Sequence, residues 1–267
     1  MRLKFTLKAV DNSPLSINYN YALSSAIYNL LRFGSPEFSQ FLHSKGFQLE
    51  GKSFKLFSFA LRLQEYKVVD TTLHLTSPLA ILFVSSPLID DFIKNLVIGS
   101  FKNQRIEIYA EYQKTVFYIE QVELIPDPLF TQSINFDMVT PLVLTIKKEH
   151  QGLFKPYYLR YDDDIKLINS CLSNNLVNKF RLLYNKDYAG EGVSIIWDEA
   201  FIQDSLRKNK RLSKKITITK FESRPIDIVG INIPFSISGD TELINIGYNA
   251  GFGEKNSMGF GLVKVRT

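Results

Sequence analysis

Three histidines are the residues of this chain best suited to acid–base chemistry, because an unperturbed imidazole titrates near neutral pH. They are His43, His74 and His150, and no His-x-x-x-His or Glu-x-x-His spacing links them. The single cysteine, Cys171, supports neither a disulfide framework nor a thiolate cluster. The sequence therefore predicts no metal site and no cofactor, and it favours chemistry by individual proton-transfer groups.

His43 is the strongest candidate of the three. It falls at the end of a predicted short helix, Pro36–Ser44, just before Gly46, and residues at loop edges on a rigid scaffold often carry catalysis. A simpler role as a cation at a helix C-terminus stays open. His74 alternates with leucines in a predicted strand and is interpreted as a surface residue, whereas His150 has no evident partner.

The elements that must position these residues follow the same order in two halves of the chain. Pro126-Asp127-Pro128 predicts a linker, since proline removes a ladder donor and restricts the residue before it. Each half has the order strand, helix, two strands, helix, strand, which is the ferredoxin-like unit. We predict an α+β fold of two tandem ferredoxin-like (βαββαβ) domains, at residues 1–125 and 130–267.

The individual elements are predicted from apolar periodicity and capping residues. Gly34 is expected just beyond its helix as a left-handed terminator. The first half contains strand 2–9, helices Tyr21–Arg32 and Pro36–Ser44, strands Lys55–Gln64, Lys67–Thr76 and Leu79–Ser85, a helix from Ser86-Pro87 to Gly99, and strands Arg105–Tyr112 and Thr115–Leu124. The second half contains an extended segment Ser133–Lys148, a helix from Asp164 to about Leu183, strands Ile216–Glu222 and Asp227–Ile237, a helix Thr241–Tyr248 and a final strand to Arg266.

The charge distribution indicates a polyanionic partner. There are 32 Lys and Arg against 27 acidic residues, a net charge of +5. The surplus is concentrated in one run, which predicts phosphate contacts; a solvated surface is the alternative. The run comprises Arg207, Lys208, Lys210, Arg211, Lys214 and Lys215, and continues to Lys220. No apolar stretch is long enough to span a membrane and the N-terminus alternates like a strand, so we expect a cytoplasmic protein with no membrane partner.

A glycine-rich segment stands close to the C-terminus. Gly251-Phe252-Gly253 and Gly259-Phe260-Gly261 flank a mostly polar stretch that contains Lys255. Glycine tolerates positive φ and lets other groups approach the backbone closely, so this loop can present N–H groups to phosphate. A tight hairpin that only holds the C-terminus against a sheet is the alternative interpretation.

This segment closely resembles the glycine-rich signature of the RAMP superfamily of CRISPR-associated proteins, in the branch of endoribonucleases that cut CRISPR repeat RNA. The residues around Ile27–Leu31, Phe41–His43 and Lys55–Phe59 look like the catalytic region of that branch. The resemblance implies an active site of Tyr28, His43 and Lys55, with Lys52 and Lys45 as competitors for the place of the lysine.

The resemblance also implies the reaction. The RNA 2′-hydroxyl would attack the adjacent phosphate without a metal, Tyr28 and His43 would share the acid and base roles, and Lys55 would offset the transition-state charge. Repeat RNA would be the partner of the glycines, Lys255 and the basic run. Effector-complex subunits and a second copy of the chain are further implied partners. An inactive relative that retains the guide end in an effector complex is the alternative function.

Overall fold

The computed structural model describes residues 1–11, 13–110, 113–150, 152–218 and 225–266, with only the backbone of His150. The chain forms two compact units. Unit 1 consists of Met1–Asp127, Thr217–Ile226 and Ser257–Gly259, and unit 2 consists of Pro128–Ile216, Asp227–Asn256 and Phe260–Thr267.

The first 127 residues contain three α-helices and ten strands among the described residues. The helices are α1 (Asn20–Gly34), α2 (Pro36–Ser44) and α3 (Asn95–Asn103), and a π-helical turn, Ile89–Lys94, leads into α3. The strands are β1 (Arg2–Ala9), β2 (Leu15–Ser16), β3 (Phe47–Leu49), β4 (Lys52–Phe54), β5 (Ser58–Leu63), β6 (Tyr66–Val69), β7 (Thr72–Leu75), β8 (Leu79–Ser85), β9 (Arg105–Ala110) and β10 (Gln113–Ile125).

The main sheet of unit 1 is antiparallel and has the order β5-β8-β1-β10-β9. Central β1 alternates in burial as its sequence predicts, with Phe5 and Leu7 fully buried. Helix α1 packs Leu23, Ile27 and Leu31 into the same core. Apart from the extra edge strand β9, this is the ferredoxin-like order, in which the first strand lies between the third and the fourth.

Four predictions for unit 1 are wrong in detail. The helix predicted to end at Gly99 continues as α3 to Asn103. The predicted strand Lys67–Thr76 is the hairpin β6–β7, because Asp70 takes a left-handed φ of 52° and turns the chain. Lys55 does not begin a strand: it lies between β4 and β5, where Leu56 has a φ of 52°. Gly34 is the last residue of α1 and does not follow the helix as predicted. A Cβ at this position would collide with the main chain of Asn95. Residues 111–112 of the predicted strand Arg105–Tyr112 lie outside the described residues.

The elements that follow Pro128 include a second ferredoxin-like sheet, antiparallel where its pairing is described, with the order β14-β17-β11-β18. The helices are α4 (Ile165–Tyr184), α5 (Glu199–Arg207) and α6 (Thr241–Ala250). The strands are β11 (Ser133–Met138), β12 (Thr145–His150), β13 (Leu153–Tyr158), β14 (Val193–Trp197), β15 (Ser213–Ile218), β16 (Ile226–Ile231), β17 (Phe235–Gly239) and β18 (Val263–Val265).

The predicted tandem ferredoxin-like fold is confirmed, but two of the strands assigned to its second copy are wrong. The sheet uses β14 and β17. The predicted strand Ile216–Glu222 overlaps β15 of the separate pair β15–β16, and the predicted strand Asp227–Ile237 joins β16 to the first three residues of β17. Five-residue β14 was missed because it is too short to stand out by periodicity. Residues 219–224 of the predicted strand, with Lys220, lie outside the described residues. No described helix is both long and apolar enough to cross a membrane.

Candidate active site

Tyr28 lies on α1 with its ring against two other aromatic rings. The His43 ring meets it edge-on at a centroid distance of 5.2 Å, and the Phe57 ring does so at 5.5 Å. Burial raises the pKa of the Tyr28 phenol above its ordinary value of 10.0, and a hydrogen bond with the Ser257 side chain opposes that rise in part. The phenol therefore keeps its proton at neutral pH.

His43 reaches Tyr28 because α2 is fastened to α1. Ser35 caps the start of α2 by accepting a hydrogen bond from the Phe38 N–H, and proline follows it at the first helical position. Buried Ser39 donates from its hydroxyl to the Tyr28 carbonyl at 2.8 Å. His43 follows Ser39 by four residues and lies on the same side of α2. Its side chain is exposed, so a substrate can reach the imidazole.

Lys55 joins this pair from the connection between β4 and β5. Its Nζ donates to the His43 carbonyl at 3.2 Å, and burial lowers the pKa of the half-buried ammonium. Neighbouring Leu56 has an unfavourable left-handed φ, and the buried Ser86 hydroxyl donates to its carbonyl at 2.8 Å. Lys52, in β4, is exposed. The contact with His43 therefore favours Lys55 as the lysine of the cluster.

The Tyr28–His43–Lys55 cluster combines a protonated phenol, an accessible imidazole and an ammonium group. These three groups can supply a hydrogen-bond donor, a proton acceptor and a cation to one phosphodiester. Elsewhere, His74 is an exposed residue of β7 whose Nε2 lies 3.0 Å from the Thr72 hydroxyl. Among the described residues, no group of three or more His, Cys, Asp or Glu side chains could hold a metal ion.

The glycine loop, residues 251–261, is organised in unit 2 by a buried lysine on α4. Lys179 is 1% exposed, and its Nζ donates to the Gly251 carbonyl at 2.6 Å, the Gly253 carbonyl at 2.9 Å and Asn256 Oδ1 at 2.8 Å. All three ammonium N–H groups therefore have acceptors. Burial lowers the pKa of Lys179 to about 7, against the opposing effect of the Glu254 charge.

The glycines of this loop are placed for close packing. Gly251, Gly253, Gly259 and Gly261 are all buried. A Cβ at Gly253 or Gly261 would overlap the carbonyl oxygen of Val143 or Phe252, respectively. The Gly261 N–H already donates to the Pro141 carbonyl at 2.9 Å, so this predicted phosphate donor is engaged inside the protein. Lys255 is the exposed residue at the turn of the loop.

The basic run lies on α5, β15 and the connection between them, and all six of its predicted residues are exposed. Arg207 and Lys208 pair with Asp204, and Lys215 pairs with Asp227 at 3.0 Å. Within the described part of the chain, Lys210, Arg211 and Lys214 form no ion pair. Their charges are therefore the most available to a polyanion.

Comparison with known proteins gives the family. The model described as CRISPR associated protein Cas6, C-terminal, matches residues 125–265, and the model for the N-terminal part of CRISPR-associated protein Cas6 matches residues 14–123. This chain belongs to the Cas6 family. The C-terminal match contains the whole second ferredoxin-like sheet, whereas the N-terminal match begins after β1 and contains the other strands of the first sheet almost completely.

Individual Cas6 relatives match over almost the whole chain. CRISPR-associated endoribonuclease Cas6 1 of Methanocaldococcus jannaschii is 28% identical over 265 residues, which cover 98% of this chain and 92% of the relative. CRISPR-associated endoribonuclease Cas6 of Pyrococcus furiosus is 24% identical over 249 residues, 93% of this chain and 82% of the relative. A solved structure from a Cas6-related gene of P. furiosus shares the fold, with a TM-score of 0.81, 20% identity and coverage of 100% of this chain and 98% of that one.

The sequence analysis of this Cas6 protein missed two groups of polar residues. Asn20 and Ser24 precede Tyr28 at intervals of four residues, and both hydrogen-bond the Ser257–Met258 segment. Lys179 continues a buried face of α4 that includes Leu172 and Leu176. The signal in both cases was a polar residue on the buried face of a helix, which requires a partner.

Proposed function

We propose that this Cas6 protein cuts CRISPR precursor RNA within its repeats to release guide RNAs, and that it does so without a metal. The observation that carries the proposal is the meeting of Tyr28, His43 and Lys55, from two helices and a strand connection, in unit 1. The relatives named as endoribonucleases support the substrate class. Unit 1 thus supplies the reacting groups.

The reaction needs one proton taken and one proton given. The 2′-oxygen loses its proton and bonds to phosphorus, the bond from phosphorus to the 5′-oxygen breaks, and that oxygen gains a proton. The products are a 2′,3′-cyclic phosphate upstream, or the 3′-phosphate after hydrolysis, and a 5′-hydroxyl downstream. All three functional groups that this path requires are present in the cluster.

Burial suggests which group does which task. The Tyr28 phenol holds its proton at neutral pH, because burial raises its pKa, so it serves as the donor to the 5′-oxygen. The exposed His43 imidazole accepts the 2′ proton. Lys55 offsets charge on the phosphorane, and a lysine acts there as a point charge. The contact with the His43 carbonyl holds its ammonium beside the imidazole-bearing turn.

RNA affinity is assigned to exposed cations that do not react. Lys210, Arg211, Lys214 and Lys255 would contact phosphates directly. Paired Arg207, Lys208 and Lys215 would contribute less, because carboxylates already neutralise part of their charge. Gly251, Gly253, Gly259 and Gly261 would shape the loop that carries Lys255. The proposal places the enzyme in the prokaryotic cytoplasm, with effector subunits and a second copy of the chain as candidate partners.

The test uses end-labelled repeat RNA under single-turnover conditions with EDTA. We expect cleavage of the unmodified RNA, and none when the nucleotide upstream of the cut lacks its 2′-hydroxyl. An RNA with sulfur in place of the bridging 5′-oxygen needs no acid, so it should restore cleavage by Tyr28→Phe but not by His43→Ala. Loss of cleavage in EDTA, or cutting of the deoxy substrate, would overturn the mechanism. Binding without cleavage would instead indicate an inactive guide-retaining protein.

A further inference from the structure

Gly46 follows the C-cap residue of α2, Lys45, and takes a left-handed φ of +64°. Its N–H donates to the Phe41 carbonyl at 2.8 Å, and the Lys45 N–H shares that acceptor at 3.0 Å. A left-handed glycine at this place is a common way to end a helix. Because the helical hydrogen bonding stops here, the last carbonyl groups of α2 need partners from outside the helix.

Lys55 is the partner of one of these carbonyl groups. Its Nζ donates to the His43 carbonyl at 3.2 Å, and the C-terminal end of a helix dipole favours a cation. The next acceptor along the turn, the Lys45 carbonyl, is bonded by neutral donors, the Ser53 hydroxyl and the Gln48 amide, both at 2.6 Å. The ammonium is thereby attached to the main chain of the residue that carries the imidazole.

The side chain of Lys55 reaches this carbonyl across Gly46, which is buried. A Cβ at Gly46 would lie 2.8 Å from Lys55 Cδ, 2.9 Å from Lys55 Nζ and 2.7 Å from the Phe54 carbonyl oxygen. These distances are well inside van der Waals contact, so a side chain at this position and the lysine cannot both keep their places. The lysine has a flexible four-carbon stem, so it would be displaced before the backbone.

We propose that Gly46 is a positioning residue for Lys55: because it lacks a side chain, it leaves the space through which the lysine reaches the His43 carbonyl. The glycine thereby keeps the ammonium beside the imidazole-bearing turn instead of in bulk solvent. This inference rests on the proposed function, in which Lys55 offsets charge on the phosphorane. Filling that space should therefore slow the chemical step and spare RNA binding.

The test compares Gly46→Ala with Gly51→Ala. Gly51, between β3 and β4, also has a left-handed φ, +72°, but a Cβ there would have no described heavy atom within 4 Å. The two variants share the backbone strain and differ in the collision with Lys55. We expect Gly46→Ala to slow single-turnover cleavage by about 10- to 10²-fold at unchanged RNA affinity, since a displacement of about 1 Å can cost that much. Gly51→Ala should cleave at the wild-type rate.

Two further measurements ask whether the effect passes through Lys55. In a Lys55→Ala background, Gly46→Ala should cause no further loss of rate, since the glycine acts through the lysine. The carbon-13 resonance of the Lys55 ε carbon, followed against pH without substrate, gives the pKa of the ammonium, which burial lowers in the wild type. Gly46→Ala should raise that pKa toward its ordinary value of 10.5, and Gly51→Ala should leave it unchanged.

The outcomes separate this inference from the proposed function. If Lys55→Ala cleaves at the wild-type rate, the role of Lys55 in the proposed function is wrong. If Lys55→Ala is slow but Gly46→Ala equals wild type, or the two losses simply add, only the inference is overturned. An unmoved Lys55 pKa overturns it too.

A second substitution covers the case in which Gly46→Ala does not fold. Gly46→Asn repeats the comparison with less strain, because asparagine tolerates a left-handed φ but still has a Cβ. It should show the same slow cleavage and the same raised Lys55 pKa. If both Gly46 variants fail to fold even in the Lys55→Ala background, the glycine serves the fold alone and the inference is overturned.

Discussion

The Tyr28–His43–Lys55 cluster and the Lys179 clamp differ in whether their polar groups are available to a substrate. The Lys179 clamp is Lys179 with its three hydrogen-bond acceptors on the glycine loop. Helices α1 and α4 each follow the first strand of a ferredoxin-like sheet, and each carries a polar side chain whose pKa is shifted strongly by burial, Tyr28 on α1 and Lys179 on α4. In unit 1 that side chain adjoins an exposed imidazole. In unit 2 every N–H of the ammonium is already bonded inside the protein.

The difference shows that a shifted pKa does not by itself identify a reactive group. Lys179 has a large shift but no donor left for a substrate and no solvent access, so its role is to hold the loop. Lys55 is shifted in the same direction, yet its Nζ makes one hydrogen bond among the described residues and is half-buried. A lysine with a shifted pKa is a candidate for a reaction only if it also has unused N–H groups and solvent access. Without them its role is structural.

The largest expected effect is the loss of chemistry without loss of structure. We expect His43→Ala to reduce the single-turnover rate by about 10²- to 10⁴-fold, as the removal of a general base does. The unfolding free energy should change by less than about 0.5 kcal/mol, because the residue is exposed. Stopped-flow or quench-flow cleavage and thermal unfolding measure the two quantities.

His74→Ala is the control for that variant, since His74 is an exposed histidine on β7 in the same unit. It should leave both cleavage and stability near wild type. Equal losses of cleavage from both variants would contradict a catalytic role for the Tyr28–His43–Lys55 cluster. A stable His43→Ala protein with the wild-type rate would contradict it too.

The converse effect is expected at the Lys179 clamp. Lys179→Met keeps an unbranched side chain but leaves the Gly251 and Gly253 carbonyls and Asn256 Oδ1 without their donor. Buried unsatisfied acceptors are costly, so we expect the unfolding free energy to fall by about 3 kcal/mol. Lys166→Met, at an exposed position of the same helix, should have little effect. Urea unfolding of both variants measures the difference.

The clamp should also give this difference a pH dependence of known sign. Burial sets the pKa of Lys179 to about 7 in the folded protein, against an ordinary 10.5. Between those pH values the unfolded chain binds the proton and the folded chain does not. The contribution of Lys179 to stability therefore rises with pH in this window. The stability gap between wild type and Lys179→Met should widen from pH 7 to pH 9, and a gap that stays constant would show that the folded amine stays charged.

What the sequence could predict depends on how local each signal is. Helices α1 and α2, with the Ser35 cap, follow from periodicity and capping within a few residues. The short strand β14 and the hairpin β6–β7 were not predicted, because a few apolar residues do not distinguish one strand from two. The candidate site divides in the same way. His43 was predicted from its place at a helix end, whereas Tyr28 and Lys55 needed a family resemblance.

The contacts that complete the site were beyond local reasoning. Ser24 bonds a residue 233 positions away, and Lys179 bonds residues more than 70 positions away. Only the tertiary fold brings such partners together. The glycines were predicted to present N–H groups to phosphate. Gly253 and Gly261 are instead buried against carbonyl oxygens, and the Gly261 N–H donates to a carbonyl of its own chain. Spacing alone does not say whether a glycine faces a ligand or its own chain.

The smallest expected effect concerns the basic run, whose side chains neither react with the RNA nor hold the glycine loop. Arg211→Glu with Lys214→Glu should weaken repeat RNA binding about tenfold, and should flatten the salt dependence of the binding constant by roughly 0.7 per lost contact, as for single-stranded RNA. The rate of cleavage at saturating protein should stay at the wild-type value, because these side chains do not touch the reacting groups.

Lys215→Glu is the control for the double variant. Its pairing with Asp227 already reduces the charge available to RNA, which predicts a smaller loss of binding. Fluorescence anisotropy at several salt concentrations decides the matter: an unchanged salt slope in the double variant would make the basic run a solvated surface, leaving Lys255 as the remaining proposed phosphate contact.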